Sequence, residues 1–287
     1  MHGETLQAAK VRYFIEIAYW GIFQAVIPVF CDFISYFVVK KQCMKIIPLN
    51  EGIFTVTKDK IFTKITREEV ETADPELLKM SVCPFLIILS DDVILLDAGL
   101  GWVIDSKPVI VQLIEEAGYK AQDITKVLLS HLHKDHIDGL GYIDCDEFVC
   151  NFPEADIYLQ QNELIYALGE IGSHSFNQDV LEKVGELPNL VFMTDNQGSI
   201  GDFIHYEVTG GHTPFHQVFW IKEGGSTGFY GADNLPQKSY LKFHIAYKSD
   251  FDGVTAKGQR LKWEQQAKDE HWTVLFYHDF SKNIMMF

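Results

Sequence analysis

Residues 130–139 read SHLHKDHIDG, and this stretch decides the fold. His131, His133 and His136 fall within six positions, and Asp135 lies between the last two. The three residues just before the stretch are Val, Leu and Leu, an aliphatic run that predicts a strand. The four polar side chains are therefore expected where a strand ends and a loop opens, at the edge where α/β proteins usually place their sites.

The spacing of these side chains predicts two neighbouring points of convergence. In an extended segment, residues i and i+2 project to the same side, so His131 and His133 can meet at one point. Asp135 and His136 follow after the chain turns and can face a second point nearby. A single histidine is more often a solvated or hydrogen-bonded side chain, but imidazoles this dense, together with a carboxylate, favour a site for a divalent metal such as zinc.

The chain outward from this stretch predicts layered α and β structure. From residue 45 onward, short apolar runs alternate with helical stretches, and residues 90–92 form a hairpin-like turn signal. The run MKIIPLNEGIF at 44–54 is interpreted as the opening strand of the body, and further strands are predicted at 53–56, 85–89, 93–96, 127–129, 157–159, 190–193 and 204–208. Helices are predicted at 108–118, 161–168 and 253–268, the first with proline at its start and glycine at its end.

Composition excludes several classes of function. The 287 residues include 40 acidic and 24 basic side chains, a formal charge of -16, which disfavours a nucleic-acid partner. The 5 cysteines are an odd number without a C-x-x-C pair, so they fit neither a disulfide framework nor a thiolate zinc site. A reducing, cytoplasmic location is the expectation.

The front of the chain differs from the body. Residues 13–39 are the most apolar tract, but the uncharged stretch 17–31 falls short of the roughly 20 residues that cross a bilayer. A membrane anchor is kept as a minority alternative. The expected organisation is an apolar N-terminal extension at 1–43 and one domain at 44–287, with Met44 as a hypothetical start of the working protein.

Five motifs resemble one family in their order along the chain. The run His131 to His136 matches the H-x-H-x-D-H signature of the metallo-β-lactamase-fold hydrolases. The other four resemble that family's remaining motifs: LLDAG at 95–99, GHTP at 211–214, GAD at 231–233 and YHD at 277–279. The resemblance spans about residues 45–280 and implies a four-layer αββα sandwich.

The resemblance also implies a ligand set for two divalent metal ions, with zinc favoured and iron, manganese or cobalt left open. One ion would be held by His131, His133 and His212, and the other by Asp135, His136 and His278. Asp233 would bridge the two ions, and Asp97 would hydrogen-bond a ligating imidazole. The implied reaction is attack of a hydroxide shared by the metals on a carbonyl, so no serine or cysteine nucleophile is required.

Particular residues favour one branch of the family. A bridging carboxylate at Asp233 argues against a β-lactamase, and His133 argues against the diiron oxidoreductases, which have glutamate there. The charge argues against the ribonucleases, and no basic cluster near the C-terminus resembles a glutathione site. The remaining branch contains quorum-quenching lactonases and organophosphate hydrolases, so a small lactone or ester is the expected substrate. A phosphodiester or phosphotriester hydrolase and a non-catalytic metal-binding protein are the alternatives.

One catalytic position departs from the lactonase pattern. Lactonases place a tyrosine three positions after the bridging aspartate, where this chain has Pro236. Tyr240 in the same loop is the hypothetical replacement as proton donor, which makes Asp135, Asp233 and Tyr240 the expected catalytic residues. The loop's other aromatic and imidazole side chains either line a pocket or pack onto the core: Phe243, His244 and Tyr247. Thr213 and His216 are interpreted as scaffold, and the sequence leaves the oligomeric state open.

Overall fold

The computed structural model describes residues 44–145 and 147–287. The extension predicted at 1–43 and the membrane segment considered at 13–39 lie outside the described residues and stay predictions. The hypothetical start at Met44 lies at the edge of this range and is also a prediction. Among the helices that the described residues form, none combines the length and apolar character needed to cross a membrane.

The described residues form short strands and helices in alternation. The strands are β1 (Lys45–Pro48), β2 (Gly52–Val56), β3 (Phe62–Ile65), β4 (Leu78–Val82), β5 (Phe85–Ile88), β6 (Val93–Leu96), β7 (Val103–Ile104), β8 (Lys107–Pro108), β9 (Lys126–Leu128), β10 (Gly141–Asp144), β11 (Glu147–Cys150), β12 (Asp156–Gln160), β13 (Leu190–Met193), β14 (Gln197–Ile200), β15 (Ile204–Val208), β16 (Gln217–Glu223), β17 (Ser226–Tyr230), β18 (Thr273–Leu275) and β19 (Ile284–Met286). The helices are α1 (Val109–Glu116), α2 (Lys134–Ile137), α3 (Gln161–Gly169), α4 (Gln178–Val184), α5 (Ser239–Phe243) and α6 (Gly253–Glu270).

Two six-stranded sheets form the centre of the domain. The first has the order β1-β5-β6-β9-β12-β13, and the second has the order β14-β15-β16-β17-β18-β19. In the first sheet, β5 and β6 form the antiparallel hairpin predicted at residues 90–92, while β6, β9, β12 and β13 are mutually parallel. Parallel neighbours require crossover connections, and α1, α3 and α4 lie in these connections. The strands β3, β2 and β4 form a separate three-stranded sheet.

Alternating residues of the first sheet contribute to two different apolar layers. In β5, Phe85 and Ile87 belong to the cluster between the two sheets, which also includes residues of β15, β16, β17 and β18. Leu86 and Ile88 belong to the cluster that contains the buried residues of α1, α3 and α4. Successive side chains of a strand point to opposite faces, so the first sheet lies between the helices and the second sheet.

The second sheet repeats this arrangement on its own outer face. In β16, Phe219 and Ile221 join the cluster between the sheets, whereas Val218 and Trp220 join a third cluster with residues of α5 and α6. The order of layers is therefore helices, sheet, sheet, helices, as predicted. The predicted strands and helices are present with ends that differ by one or two residues, except that the opening strand predicted at 44–54 is divided between β1 and the start of β2. The sequence predicted neither the helices α2, α4 and α5 nor these strands: β3, β4, β7, β8, β10, β11, β14 and β16 to β19.

Candidate metal centre

The local fold around residues 130–139 separates the four polar side chains into two sets. β9 ends at Leu128, and an irregular segment with a bend at Ser130 leads to His133, whose extended backbone (φ -64°, ψ 146°) immediately precedes α2. The first turn of α2 then rotates Asp135 and His136 away from the first pair. This change from extended to helical backbone matches the expected change of direction.

The seven predicted ligands meet in two groups. Within each group, one ligand atom from every residue lies within 4.8 Å of the others. The first group is His131, His133, His212 and Asp233, and the second is Asp135, His136 and His278. The loops after β15, β17 and β18 supply His212, Asp233 and His278, so both sheets contribute to the centre.

Asp233 connects the two groups through its two carboxylate oxygens. Its Oδ2 lies 3.2 Å from Nε2 of His212 in the first group. Its Oδ1 lies 3.0 Å from Nε2 of His278 and 3.3 Å from Nε2 of His136 in the second. Each oxygen therefore faces a different group, which is the position that the resemblance implied for a bridging carboxylate.

Hydrogen bonds at the outer nitrogens fix the imidazoles of the second group. The Nδ1 of His136 lies 2.7 Å from Oδ2 of Asp97, and the Nδ1 of His278 lies 2.7 Å from the carbonyl oxygen of Ser81. Because a carboxylate and a carbonyl only accept hydrogen bonds, both rings carry their proton on Nδ1. Their Nε2 atoms consequently point toward Asp233.

Two imidazoles of the first group are oriented in the same way. The Nδ1 of His131 lies 3.1 Å from Oγ of Ser130, which itself donates to Asp97 Oδ2 at 2.7 Å. The Nδ1 of His212 lies 2.9 Å from Oδ1 of Asp250. The sequence predicted the contribution of Asp97, whereas the contributions of Ser130 and Asp250 were not predicted.

The inner atoms of the centre have fewer hydrogen-bond donors than acceptors, since one N–H of His133 cannot serve both neighbouring imidazoles. Nε2 of His131 and Nε2 of His212 lie 3.0 and 3.1 Å from Nδ1 of His133. Nε2 of His136, Nε2 of His278 and Oδ1 of Asp233 are buried without a hydrogen-bond partner. Buried imidazole nitrogens and carboxylate oxygens this close together can share a cation, and imidazole with carboxylate suits a borderline divalent ion. The residues therefore fit the metals that the sequence predicted.

Burial and neighbouring charges alter the protonation of these groups. Burial, with the nearby imidazole of His136, lowers the pKa of His131 well below its usual value, which keeps this ring neutral. Burial would raise the pKa of Asp233, but the imidazoles of His278 and His136 hold it well below its usual value. Burial would lower the pKa of His136, but the carboxylates of Asp233 and Asp135 hold it well above its usual value. A neutral imidazole and an ionised carboxylate are the forms that bind a metal, so a bound ion would displace this proton.

A cavity of about 490 Å³ opens onto both groups. His133, Asp135, His212, Asp233 and His278 line it. One wall is apolar and comes from the sheet β3-β2-β4, through Val56, Phe62, Leu78 and Met80. Aromatic side chains from elsewhere in the domain also line the cavity: Tyr166, Phe176, Tyr240, Tyr247 and Phe251.

The aromatic loop after Asp233 divides between the cavity and the surface. The rings of Tyr240 and Tyr247 are stacked with centroids 4.2 Å apart, and both line the cavity. Burial, together with Tyr247 and Asp233, raises the pKa of the Tyr240 phenol, which therefore keeps its proton at neutral pH. Phe243 is 56 % exposed, and neither it nor His244 is among the cavity-lining residues, so the pocket alternative does not hold for these two.

Two further polar residues hold the loop of His212 in place. The Oδ1 of Asn234 accepts from the backbone N–H of His212 at 2.8 Å, and the buried Glu163 accepts from Thr213 Oγ1 at 2.9 Å. Thr213 thus acts as scaffold, as expected. His216 packs its ring 5.2 Å from that of His131 and belongs to neither ligand group. Asn234 adjoins a predicted ligand in the sequence, but no pattern marked Glu163.

Comparison with known proteins identifies the family of this fold and site. The family profile described as the metallo-beta-lactamase superfamily matches residues 84–278. This match covers more than half of the chain, and the chain belongs to that superfamily. The fold implies divalent metal ions, which agrees with the two groups of histidine and aspartate side chains.

Curated relatives include lactonases at low identity. The N-acyl homoserine lactonase AiiA of Bacillus thuringiensis subsp. kurstaki is 23 % identical over 175 residues, which cover 60 % of this chain and 63 % of that protein. An N-acyl homoserine lactonase of Bacillus cereus is 24 % identical over a stretch of the same length. The chain thus matches less than two thirds of the length of these relatives.

Solved structures share the fold. A probable metal-dependent hydrolase from Staphylococcus aureus has a TM-score of 0.67 at 18 % identity, covering 85 % of this chain and 96 % of that one. AidC, a dizinc quorum-quenching lactonase, has a TM-score of 0.65 at 21 % identity, covering 85 % and 90 %. Together with the layer order, these similarities confirm the predicted metallo-β-lactamase sandwich.

Proposed function

We propose that the protein is a hydrolase that opens a lactone or a related ester with two divalent metal ions, zinc first among them. The observation that carries the proposal is the position of Asp233, whose two carboxylate oxygens face the two ligand groups separately. His131, His133 and His212 would hold one ion. The other ion would be held by Asp135, His136 and His278, and Asp233 would bind both ions.

The chain's own residues prepare the centre for this chemistry. When bound, paired divalent ions lower the pKa of a shared water and polarise the substrate carbonyl. Asp97, Ser81 and Asp250 hold the imidazoles in one tautomer, so the ligands need no rearrangement during the reaction. Asp135 lines the cavity with Oδ2 3.6 Å from Nε2 of His278, where a carboxylate can also accept a proton during turnover.

Tyr240 is the proposed proton donor to the leaving alkoxide. It lines the same cavity as Asp233, and its phenol is protonated at neutral pH. A lactone ring that opens releases an alkoxide, which must gain a proton before the product leaves. Pro236, at the position where lactonases have tyrosine, also lines the cavity but has no proton to give.

The cavity wall supports a substrate with an apolar part. Val56, Phe62, Leu78 and Met80 present aliphatic and aromatic surface, while the metal-binding side chains are polar. Pockets of this kind bind a ligand's apolar body on one side and fix its reactive group on the other. N-acyl homoserine lactonases among the relatives make a lactone with an acyl chain the first substrate to test.

The direct test is proton release in a pH-stat when the zinc-loaded protein meets a medium-chain N-acyl homoserine lactone. We expect release that disappears in Asp233→Ala and persists in Asp195→Ala, which changes an exposed aspartate. Fully metallated protein that releases no proton from the lactone would contradict the proposed substrate. Hydrolysis of a phosphotriester or bis(p-nitrophenyl) phosphate in preference to a lactone would instead favour the alternative reaction.

The role of Tyr240 needs a separate variant. Tyr240→Phe removes the hydroxyl and keeps the ring that stacks on Tyr247, so we expect kcat to fall by about 10²-fold or more at unchanged zinc content. Tyr142→Phe changes a 40 % exposed tyrosine on β10 and serves as the matched control. An unchanged kcat for Tyr240→Phe would remove Tyr240 from the mechanism without affecting the metal assignment.

A further inference from the structure

The segment 247–252, here called the 247–252 loop, is fastened to the backbone that carries His212. The N–H of Phe251 donates to the carbonyl oxygen of His212 at 3.1 Å, and the N–H of Asp252 donates to that of Gly211 at 2.8 Å. Gly211 has a φ of +91°, and a Cβ there would lie 2.5 Å from Oδ1 of Asn234. The two loops therefore pack closely and hold a fixed register.

Asp250 projects from this loop onto the metal-binding histidine. Its Oδ1 lies 2.9 Å from Nδ1 of His212, and its side chain is 6 % exposed. The other oxygen, Oδ2, is buried without a hydrogen-bond partner. The cationic neighbour Arg260 donates to the backbone carbonyls of Asn234 and Ile245 instead. Within the described part of the chain, the Asp250 carboxylate therefore makes its hydrogen bond with His212.

We infer that Asp250 is a positioning residue that sets the affinity of the first ligand group by orienting His212. The contact places the proton of His212 on Nδ1 and directs Nε2 toward Asp233 and His133, at 3.2 and 3.1 Å. Asp97 gives the same support to His136 directly and to His131 through Ser130. Asp97 thus supports one ligand of each group, and Asp250 supports a second ligand of the first group.

The 247–252 loop both forms part of the cavity wall and carries the carboxylate that orients His212. Tyr247, Ser249, Asp250 and Phe251 all line the cavity in which the substrate is expected. The ring of Tyr166 in α3 lies 6.3 Å from that of Phe251 and faces the loop from the other side. A change of loop position therefore moves Asp250, and with it the ring of His212. This inference rests on the proposed metal binding and does not depend on the substrate.

The test measures zinc affinity by chelator competition in Asp250→Ala and Asp250→Asn. Loss of a carboxylate that supports a ligating histidine weakens metal binding by about 10- to 100-fold, so we expect this loss for Asp250→Ala. Asp250→Asn keeps an oxygen that accepts from Nδ1, so we expect it to restore most of the affinity. Asp250→Leu has a similar volume but no acceptor oxygen, so it would relieve a packing defect, whereas we expect it to bind zinc as weakly as Asp250→Ala does.

Asp252→Ala is the matched control in the same loop. Its side chain accepts from the N–H groups of Val254 and Thr255 at the start of α6, and among the described residues it hydrogen-bonds to no proposed metal ligand. We expect this variant to lower the thermal stability and to leave the zinc affinity unchanged. Circular dichroism of the zinc-free variants checks that each is folded.

Two results would overturn the inference. Zinc affinity within about twofold of the parent for folded Asp250→Ala would show that His212 needs no support from Asp250. An equal loss in Asp252→Ala would show that the loop as a whole, and not Asp250, is responsible. A protein that binds zinc as expected but hydrolyses no lactone would contradict the proposed function alone, so the two failures are distinguishable.

Discussion

Asp97 supports several groups of the centre at once. It accepts hydrogen bonds from the N–H and the Oγ of Ser130, from Nδ1 of His136 and from the hydroxyl of Tyr230. Its φ of +54° lies in the left-handed region, which aspartate and asparagine tolerate better than most residues. One side chain thus fixes the orientation of two proposed ligands.

Asp97→Asn should weaken zinc binding by about 10- to 100-fold, because the amide nitrogen cannot accept the hydrogen bonds that one carboxylate oxygen now takes. Asparagine suits the same backbone conformation, so backbone strain does not contribute to the change. Isothermal titration of the zinc-free protein measures the effect, with Asp91→Asn as an exposed control. Parent-like zinc binding in Asp97→Asn would contradict the support role.

The residues of the centre differ in how far the sequence predicts them. The predicted ligands follow from short motifs, because strand ends and one helical turn fix where His131, His133, Asp135 and His136 point. Asp250 is 38 residues from its partner His212, and Glu163 is 50 residues from Thr213. No local pattern specifies such contacts, since they depend on the path of whole loops.

The helix α6 shows how one element closes the outer layer of the domain. Its buried residues are Ala256, Arg260, Trp263 and Ala267, at spacings of three and four. Trp263 lies with its ring 5.0 Å from that of Phe229 in β17, and Phe229 lies 5.1 Å from Trp272. The aromatic contacts join this helix to the second sheet.

Trp263→Ala should reduce the free energy of unfolding by about 3–5 kcal/mol, because it removes a large side chain from a packed layer. Urea unfolding of the zinc-free protein measures the change. Leu261→Ala changes a 45 % exposed residue on the same helix and should cost less than about 1 kcal/mol. Equal losses in the two variants would contradict the packing described for α6.

Burial also explains which elements escape sequence-based prediction. The first sheet was predicted strand by strand, because turns and helices separate its apolar runs. In β16, five consecutive residues, Gln217 to Ile221, are buried, so the strand has no alternation of apolar and polar residues. A strand covered on both faces carries no periodic signal, so its sequence does not distinguish it from a buried helix.

Over the whole molecule, several buried carboxyl groups make stability depend on pH. Burial raises the pKa of Glu51 to about 8, against a hydrogen bond from the N–H of Leu100 that lowers it. Burial likewise raises the pKa of Glu163 to about 7. The folded protein binds these protons more tightly than the unfolded chain does, so their contribution to stability declines as pH rises from the unfolded value of 4.5 toward the folded value.

Glu51→Gln should flatten the decline in the free energy of unfolding between about pH 5 and pH 8, by up to ~1.4 kcal/mol per pH unit. Glutamine keeps an oxygen for Leu100 and never loses a proton. Urea unfolding of zinc-free parent and variant across this range gives the two slopes, with Glu68→Gln as an exposed control. Identical slopes for the parent and Glu51→Gln would show that Glu51 is not protonated in the folded state.

The layered architecture was predictable as a whole because five motifs and the alternation of elements agree on one fold. The positions of the sheet β3-β2-β4 and of the 247–252 loop over the cavity were not predictable. Both depend on contacts between distant segments, such as Arg67 with the carbonyl oxygen of Phe280. The apolar wall from the sheet β3-β2-β4 and the residues after Tyr247 are consequently the parts of the cavity that the sequence describes least.

The two central sheets occupy consecutive halves of the domain. The first is built from strands between residues 45 and 193, and the second from strands between residues 197 and 286. A break in the exposed turn at residues 194–196 would give two fragments, each carrying part of the proposed ligand set and one face of the apolar cluster between the sheets. Coexpressed as separate polypeptides, such halves should associate by fragment complementation. Because the proposed ligands are divided between them, zinc should strengthen this association.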